Sequence, residues 1–265
     1  MTEPRSLRRH VWPWASIGAS SVLLVFLALP LAALVILTGA GALLAGFRSA
    51  LVWPALRLSL FTTGVSLAVI VVLGTPLAWQ LARHRGRTGR AIETLVQLPI
   101  VVPPAVAGVA LLLAFGRHGL LQRLVPGTPS FAFGTPAVIL AETFVATPFF
   151  VQSAVSAFRR IDPQVLISAR SLGATPLLVF VAIEFPLAAP GLLAGAAMSW
   201  ARALGEFGAT LMFAGNSVGT TQTLPLAIYT ALESDLYTAQ ALALILVIVA
   251  FGLLLVVRSA AARVP

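Results

Sequence analysis

The sequence predicts an all-α membrane protein with six transmembrane helices, and three observations carry that expectation. Of 265 residues, 59% are hydrophobic and only 9% charged, whereas a soluble domain devotes about a quarter of its residues to charge. The apolar residues fall in runs near 20 residues long, the length that crosses a hydrocarbon layer ~30 Å thick. None of the runs alternates with period two. That removes the closed barrel, the other architecture that pairs every backbone amide in lipid.

Taken in order, the runs place spans at about Ser16–Leu37, Leu56–Ala82, Ile92–Phe115, Phe133–Ala157, Leu187–Phe213 and Ala239–Val257. The first follows Arg5, Arg8 and Arg9, as a secretory signal would. Its apolar run of about 22 residues exceeds the roughly 7–15 of a signal core, so it reads as a retained anchor. Arginines at the N-terminus, in the second and fourth connections and at the C-terminus (Arg5, Arg8, Arg9; Arg83, Arg85, Arg87, Arg90; Arg159, Arg160, Arg170; Arg258, Arg263) number twelve. The other side holds four, Arg48, Arg57, Arg117 and Arg123. The basic side faces the cytoplasm, so both termini, 1–15 and 259–265, are expected there, flanking one transmembrane domain over 16–258 in the cytoplasmic membrane. The connection Ala214–Thr238, which carries Glu233 and Asp235 and no arginine, is expected to face out.

The charge balance excludes several chemistries. All seventeen basic residues are arginine, against eight acids, for a net charge of +9. They stand beside the spans, as membrane orientation requires, which argues against a nucleic-acid partner. Without cysteine there is no thiolate nucleophile, disulfide or cysteine-based metal site. Without lysine there is no phosphate-binding loop of the Gly-Lys-Ser/Thr type. No cofactor and no hydrolytic activity are expected of the chain itself. If ATP drives it, the nucleotide and its magnesium sit on another subunit.

The fourth connection, 159–186, is unusual for a membrane chain. Asp162 followed by Pro163 starts a short helix, which runs through Leu172 and stops at Gly173, the cheapest residue for a left-handed turn. Thr175 and Pro176 repeat the start signal, and Pro186 and Pro190 shape entry into the fifth span. Val165, Ile167, Ala169 and Leu172 give the first helix an apolar surface with no bundle to bury it. Such a surface fits a partner site or a helix lying on lipid headgroups.

The same stretch resembles the cytoplasmic loop of bacterial ABC importer permeases, whose pattern is Glu-Ala-Ala, three residues, Gly, nine residues, Ile, one residue, Leu-Pro. Here it reads Ile167-Ser168-Ala169, Gly173, Ile183 and Phe185-Pro186, with Ile167 in place of the Glu and Phe185 in place of the Leu. Three further stretches are similar to the molybdate and tungstate branch of that family: Leu98–Leu121 with Pro103 and Pro104, Ser199–Asn216, and Thr221–Asp235. The run Gly205-Glu206-Phe207-Gly208-Ala209 is shared with the related sulfate and thiosulfate permeases. The resemblance implies a type I importer fold with a coupling-helix loop between the fourth and fifth helices. In it Ile167, Ser168, Ala169, Leu172, Gly173, Ile183 and Pro186 would meet the ATPase. It also implies a membrane homodimer, two copies of a cytoplasmic ATPase, and a soluble or lipid-anchored oxyanion-binding protein.

For the path or gate, the candidates are Arg202, Gly205, Glu206, Gly208, Pro103 and Pro104. Arg202 and Glu206 stand four apart on one helical face. At bilayer depth a pair of this kind is either an intrahelical ion pair without a transport role or part of a wet pathway. Small residues at four-residue spacing (Gly191, Gly195, Ser199; Ala201, Gly205, Ala209) pack either two fifth spans together or one bundle internally. Glu142 is read as a structural hydrogen-bonding group near a span end, and Glu184 as a carboxylate at the interface. A self-contained secondary transporter using Arg202, Glu142 or Glu206 for ion coupling is the alternative to the ATP-driven importer.

Overall fold

The computed structural model describes residues 8–84 and 86–261. Arg5, Arg85 and Arg263 lie outside these, as do the side chains of Arg8, Arg9 and Arg258, on which the expected orientation partly rests. Helices follow one another as α1 (Arg8–Arg48), α2 (Val52–Arg83), α3 (Arg87–Val101), α4 (Pro104–Phe115), α5 (Leu120–Leu124), α6 (Thr135–Arg159), α7 (Pro163–Ser171), α8 (Pro176–Val179), α9 (Phe185–Leu204), α10 (Gly208–Ala214), α11 (Leu224–Leu232) and α12 (Leu236–Ala261). Among the described residues, six segments are long and apolar enough to cross a membrane: Ser16–Gly39, Val52–Arg83, Pro104–Leu124, Thr135–Arg159, Pro176–Leu204 and Leu236–Val256. The expected all-α, six-span fold is therefore observed.

Two spans differ from their expected bounds. The third does not run from Ile92 to Phe115. It is broken at Val102–Pro103, where both residues are extended (φ −71°, ψ 127° and φ −55°, ψ 138°). Each precedes a proline, whose ring pushes the residue before it out of helical geometry. The apolar crossing is α4–α5, and α3 is a separate amphipathic helix. The fifth does not begin at Leu187 or end at Phe213. One continuous helical stretch starts at Pro176, passes through a widened π turn at Phe180–Glu184 and ends at Leu204. The wide turn, in which Phe185 N–H reaches back to Phe180 O, takes up the misfit of Pro186, which has no N–H to give.

α6 is the central helix, with α2 and α9 packed along it. Phe150, Val151, Ala154, Val155 and Phe158 of α6 bury against Ile70, Ala78 and Leu81 of α2 and Ala188 and Leu192 of α9. The row Gly191, Gly195, Ser199 turns to α6 within the same chain. A Cβ on Gly191 would stand 2.4 Å from Ala157 Cβ, and one on Gly195 2.8 Å from Ser153 Cβ. Ser199 Oγ donates to Ala146 O at 2.8 Å, and Ser153 Oγ donates to Gly191 O at 2.8 Å. This row is internal packing. α1 lies against α12 with most of its Ser16–Gly39 surface exposed, as a lipid-facing helix would be.

The connection after α10, expected to face out, holds a further helix. It folds α11 back against α2 and α12 and buries Leu224, Leu226, Ala227 and Ala231. Ser59 Oγ of α2 accepts from Leu224 N–H at 2.8 Å, satisfying an amide that α11 cannot pair internally.

Replacing Gly195 by Leu overpacks the α6–α9 contact and costs about 1–3 kcal/mol. The thermal midpoint of the purified protein in detergent should fall. Gly64→Ala, where an added carbon meets nothing within 4 Å, should leave that midpoint unchanged or raised.

Candidate coupling and translocation sites

The loop between the fourth and fifth spans forms two short capped helices. Asp162 Oδ1 accepts from Gln164 N–H at 2.9 Å, capping α7 with Pro163 in its first turn. The helix closes with a pair of hydrogen bonds: Ala174 N–H donates to Ala169 O at 3.1 Å and Gly173 N–H to Arg170 O at 2.9 Å. That six-to-one, five-to-two pairing requires a left-handed residue between them, and Gly173 has φ +87°. Thr175 Oγ1 then accepts from Leu178 N–H at 3.3 Å to open α8.

The two helices present an apolar surface to the outside. Leu172 at the tip is 89% exposed and Ile167 55% exposed, with Leu177, Leu178 and Val181 beside them. Ser168, Gly173 and Pro186 are also exposed, while Ala169 and Ile183 are half-buried.

Glu184, expected at a wet interface, is instead 2% exposed. Its carboxylate accepts from Trp79 Nε1 and pairs with Arg83 at the end of α2. The Arg83 guanidinium also lies over the Trp79 ring, 3.9 Å from its centre, and Trp79 meets Phe180 edge-on. This cluster pins the base of the loop to α2. Burial of a carboxylate next to a proline-widened turn left no trace in the local sequence, because Arg83 and Trp79 lie about a hundred residues away.

The path candidates converge where two helices are interrupted. α9 stops at Leu204 and α10 starts at Gly208; α3 stops at Val101 and α4 starts at Pro104. The two restarts touch. A Cβ on Gly208 would lie 2.7 Å from Pro104 Cβ, and one on Gly108 would lie 2.7 Å from Ala209 O. Only glycine allows α4 and α10 to approach this closely.

Glu206 is 2% exposed and sits in the interruption. Its Oε1 accepts from Ala209 N–H at 2.8 Å, capping α10, and its Oε2 faces Arg202 Nη2 at 2.6 Å. The predicted pair therefore forms, but across a helix end, because Gly205 breaks the continuous face expected of it. Gly205 and Pro103 are exposed beside this junction. Of the second small-residue row, Ala209 is buried and Ala201 and Gly205 are exposed.

Glu142 lies apart from this pair in its bonding. Its two oxygens accept from Thr62 Oγ1 at 2.8 Å and Ser66 Oγ at 2.9 Å, clasping α6 to α2. That is the structural hydrogen-bonding role the sequence suggested.

Residues 70–264 match the family of binding-protein-dependent transport system inner membrane components. The chain belongs to that family. It is 43% identical over its whole length to the molybdenum transport system permease protein ModB of Mycobacterium tuberculosis, covering 98% of that protein. It is 40% identical over 76% of its length to the putative molybdenum transport system permease protein YvgM of Bacillus subtilis, covering 90% of it. Among solved structures, a bacterial ABC transporter that imports the acidic polysaccharide alginate superimposes with a TM-score of 0.78, 19% identity and 98% of both chains covered. The MetNI methionine ABC transporter superimposes with a TM-score of 0.66, 20% identity and 81% and 96% covered. At these identities the structures share the fold with this chain. The chain is thus a multi-pass permease component of an ABC importer.

Removing the Glu206 carboxylate tests its double role. Glu206→Ala leaves Arg202 without its counter-charge and α10 uncapped, and should cost about 3 kcal/mol. Glu206→Gln keeps an acceptor for Ala209 N–H and should cost less. Thermal unfolding of the two variants in detergent gives the order.

Proposed function

We propose that this chain is the membrane permease of an ATP-driven importer that carries molybdate, or its tungstate analogue, into the cytoplasm. The observation that carries the cargo is the 43% identity over the whole chain to a molybdenum transport permease. The chain works as a homodimer with a path between the two copies. Its arginine-rich side, with both termini and the α7–α8 loop, faces the cytoplasm.

A soluble or lipid-anchored oxyanion-binding protein delivers the anion from the outside. Two copies of a separate ATPase subunit, which hold the ATP and magnesium, grip the loop through Leu172, Ile167 and their neighbours. Exposed apolar groups at the loop tip, led by Leu172 at 89% exposed, support that docking.

The mechanism follows from one helix. The stretch Pro176–Leu204 starts at the loop and ends at the interruption, so motion imposed at α7–α8 reaches Arg202 and Glu206 along a single rod. At the interruption the Arg202 guanidinium attracts a dianion. Glu206 holds that guanidinium so that the anion is passed on and not trapped, since a conducting site must release what it binds.

In cells carrying the chain with its ATPase and binding protein, metal-resolved uptake should show molybdate or tungstate accumulating, with sulfate a poor competitor. Sulfate taken up in preference would move the assignment to the sulfate and thiosulfate permeases. Leu172→Asp should leave the chain inserted in the membrane but abolish both ATPase capture and uptake; full uptake by that variant would remove the loop from the coupling role.

A further inference from the structure

A second polar surface lies apart from the Arg202–Glu206 junction, on α3 and the facing side of α6. Arg90, Glu93, Thr94 and Gln97 recur at helical spacing along α3. A helix resting on the membrane surface would turn such a stripe toward bulk water. Here Glu93 and Gln97 turn instead toward α6, across a cavity of about 240 Å³ whose far wall carries Gln152, Ser156 and Arg159. Gln97, Gln152 and Ser156 are all exposed, and the last two belong to the span Thr135–Arg159. Amides and hydroxyls on the outer face of a membrane span are costly against hydrocarbon, so this face meets water.

At the arginine-rich end of the cavity, Arg159 pairs with Glu93 and donates to Leu81 O at 3.2 Å. Both contacts use Nη2. A guanidinium carries five N–H donors, so the others are open to a third group.

We propose that the α3–α6 groove is a water-filled exit vestibule for a tetrahedral oxyanion, in which Arg159 receives the departing dianion. Glu93 keeps that contact weak, as Glu206 does for Arg202 deeper in the bundle. The proposal rests on the oxyanion-importer reading and adds to it a named cytoplasmic site. Gln97, Gln152 and Ser156 line the groove with neutral donors that replace part of the anion's hydration.

The chain has no cysteine, so single cysteines can be read without background. Gln97→Cys, Gln152→Cys, Ser156→Cys and the outward-facing control Leu73→Cys are made in the whole transporter and assayed in inside-out vesicles. The probes are a sulfonated and a trimethylammonium methanethiosulfonate. The three groove positions should react at least about tenfold faster than Leu73→Cys, because a thiol in apolar surroundings stays protonated and inert. The sulfonated reagent should be favoured at all three, and adding Arg159→Gln should remove that preference.

Reaction as slow as at Leu73, or disulfides between copies in place of labelling, would overturn the vestibule. Labelling with no preference for the anionic reagent would overturn the role of Arg159. Molybdate uptake by the same unlabelled complexes separates the two levels. Uptake retained with unreactive groove cysteines defeats this proposal alone, whereas no molybdate uptake by any complex, the one with the natural sequence included, defeats the reading beneath it.

Discussion

Backbone amides inside a membrane protein have to find partners, and this bundle restarts two helices side by side. An α-helix leaves four N–H groups unpaired at each start, and lipid offers them nothing. The starts of α4 and α10 lie against each other, so both sets of open groups fall at one place. Glu206 answers for α10 by taking Ala209 N–H, and its second oxygen takes the charge of Arg202. One buried carboxylate therefore closes a helix end and fixes a cation. The close approach around it rests on Gly208 and Gly108, where any side chain would collide with Pro104, Ala209 or Met212.

That junction is joined to the α7–α8 loop by one continuous helical stretch. From Pro176 to Leu204 the helical stretch has 29 residues, about 43 Å at 1.5 Å per residue. Its lower end is tied to α2 by Glu184, Arg83 and Trp79, and its middle is locked to α6 by glycines and serines that bring the backbones together. A stretch held so closely along α2 and α6 moves with them as a block. In the proposed mechanism, motion at the loop is carried with that block to the place where the helix stops.

Much of this was legible in the chain, and the exceptions share a cause. Span number and the capped helix in the loop follow from run length and from Asp162-Pro163, Gly173 and Thr175-Pro176, all local signals. The ends of the third and fifth spans were misjudged because hydropathy continues across Val102–Pro103 and Gly205–Phe207, although the backbone does not. The double proline was a visible warning for the first break; Gly205 alone was a weak one for the second. α11 was missed because nine residues are too short to register as a span, and its burial depends on Ser59 far upstream. The true setting of Glu184 was out of reach for the same reason, since its partners sit on α2.

In the proposed transporter this chain supplies the path and a different polypeptide supplies the power. Purified chain in sealed vesicles, with and without the ATPase and the anion-binding protein, tests it most directly through accumulation of labelled molybdate. Accumulation is expected only when both partners and ATP are present. Accumulation by the chain alone, driven by a proton gradient, would contradict it.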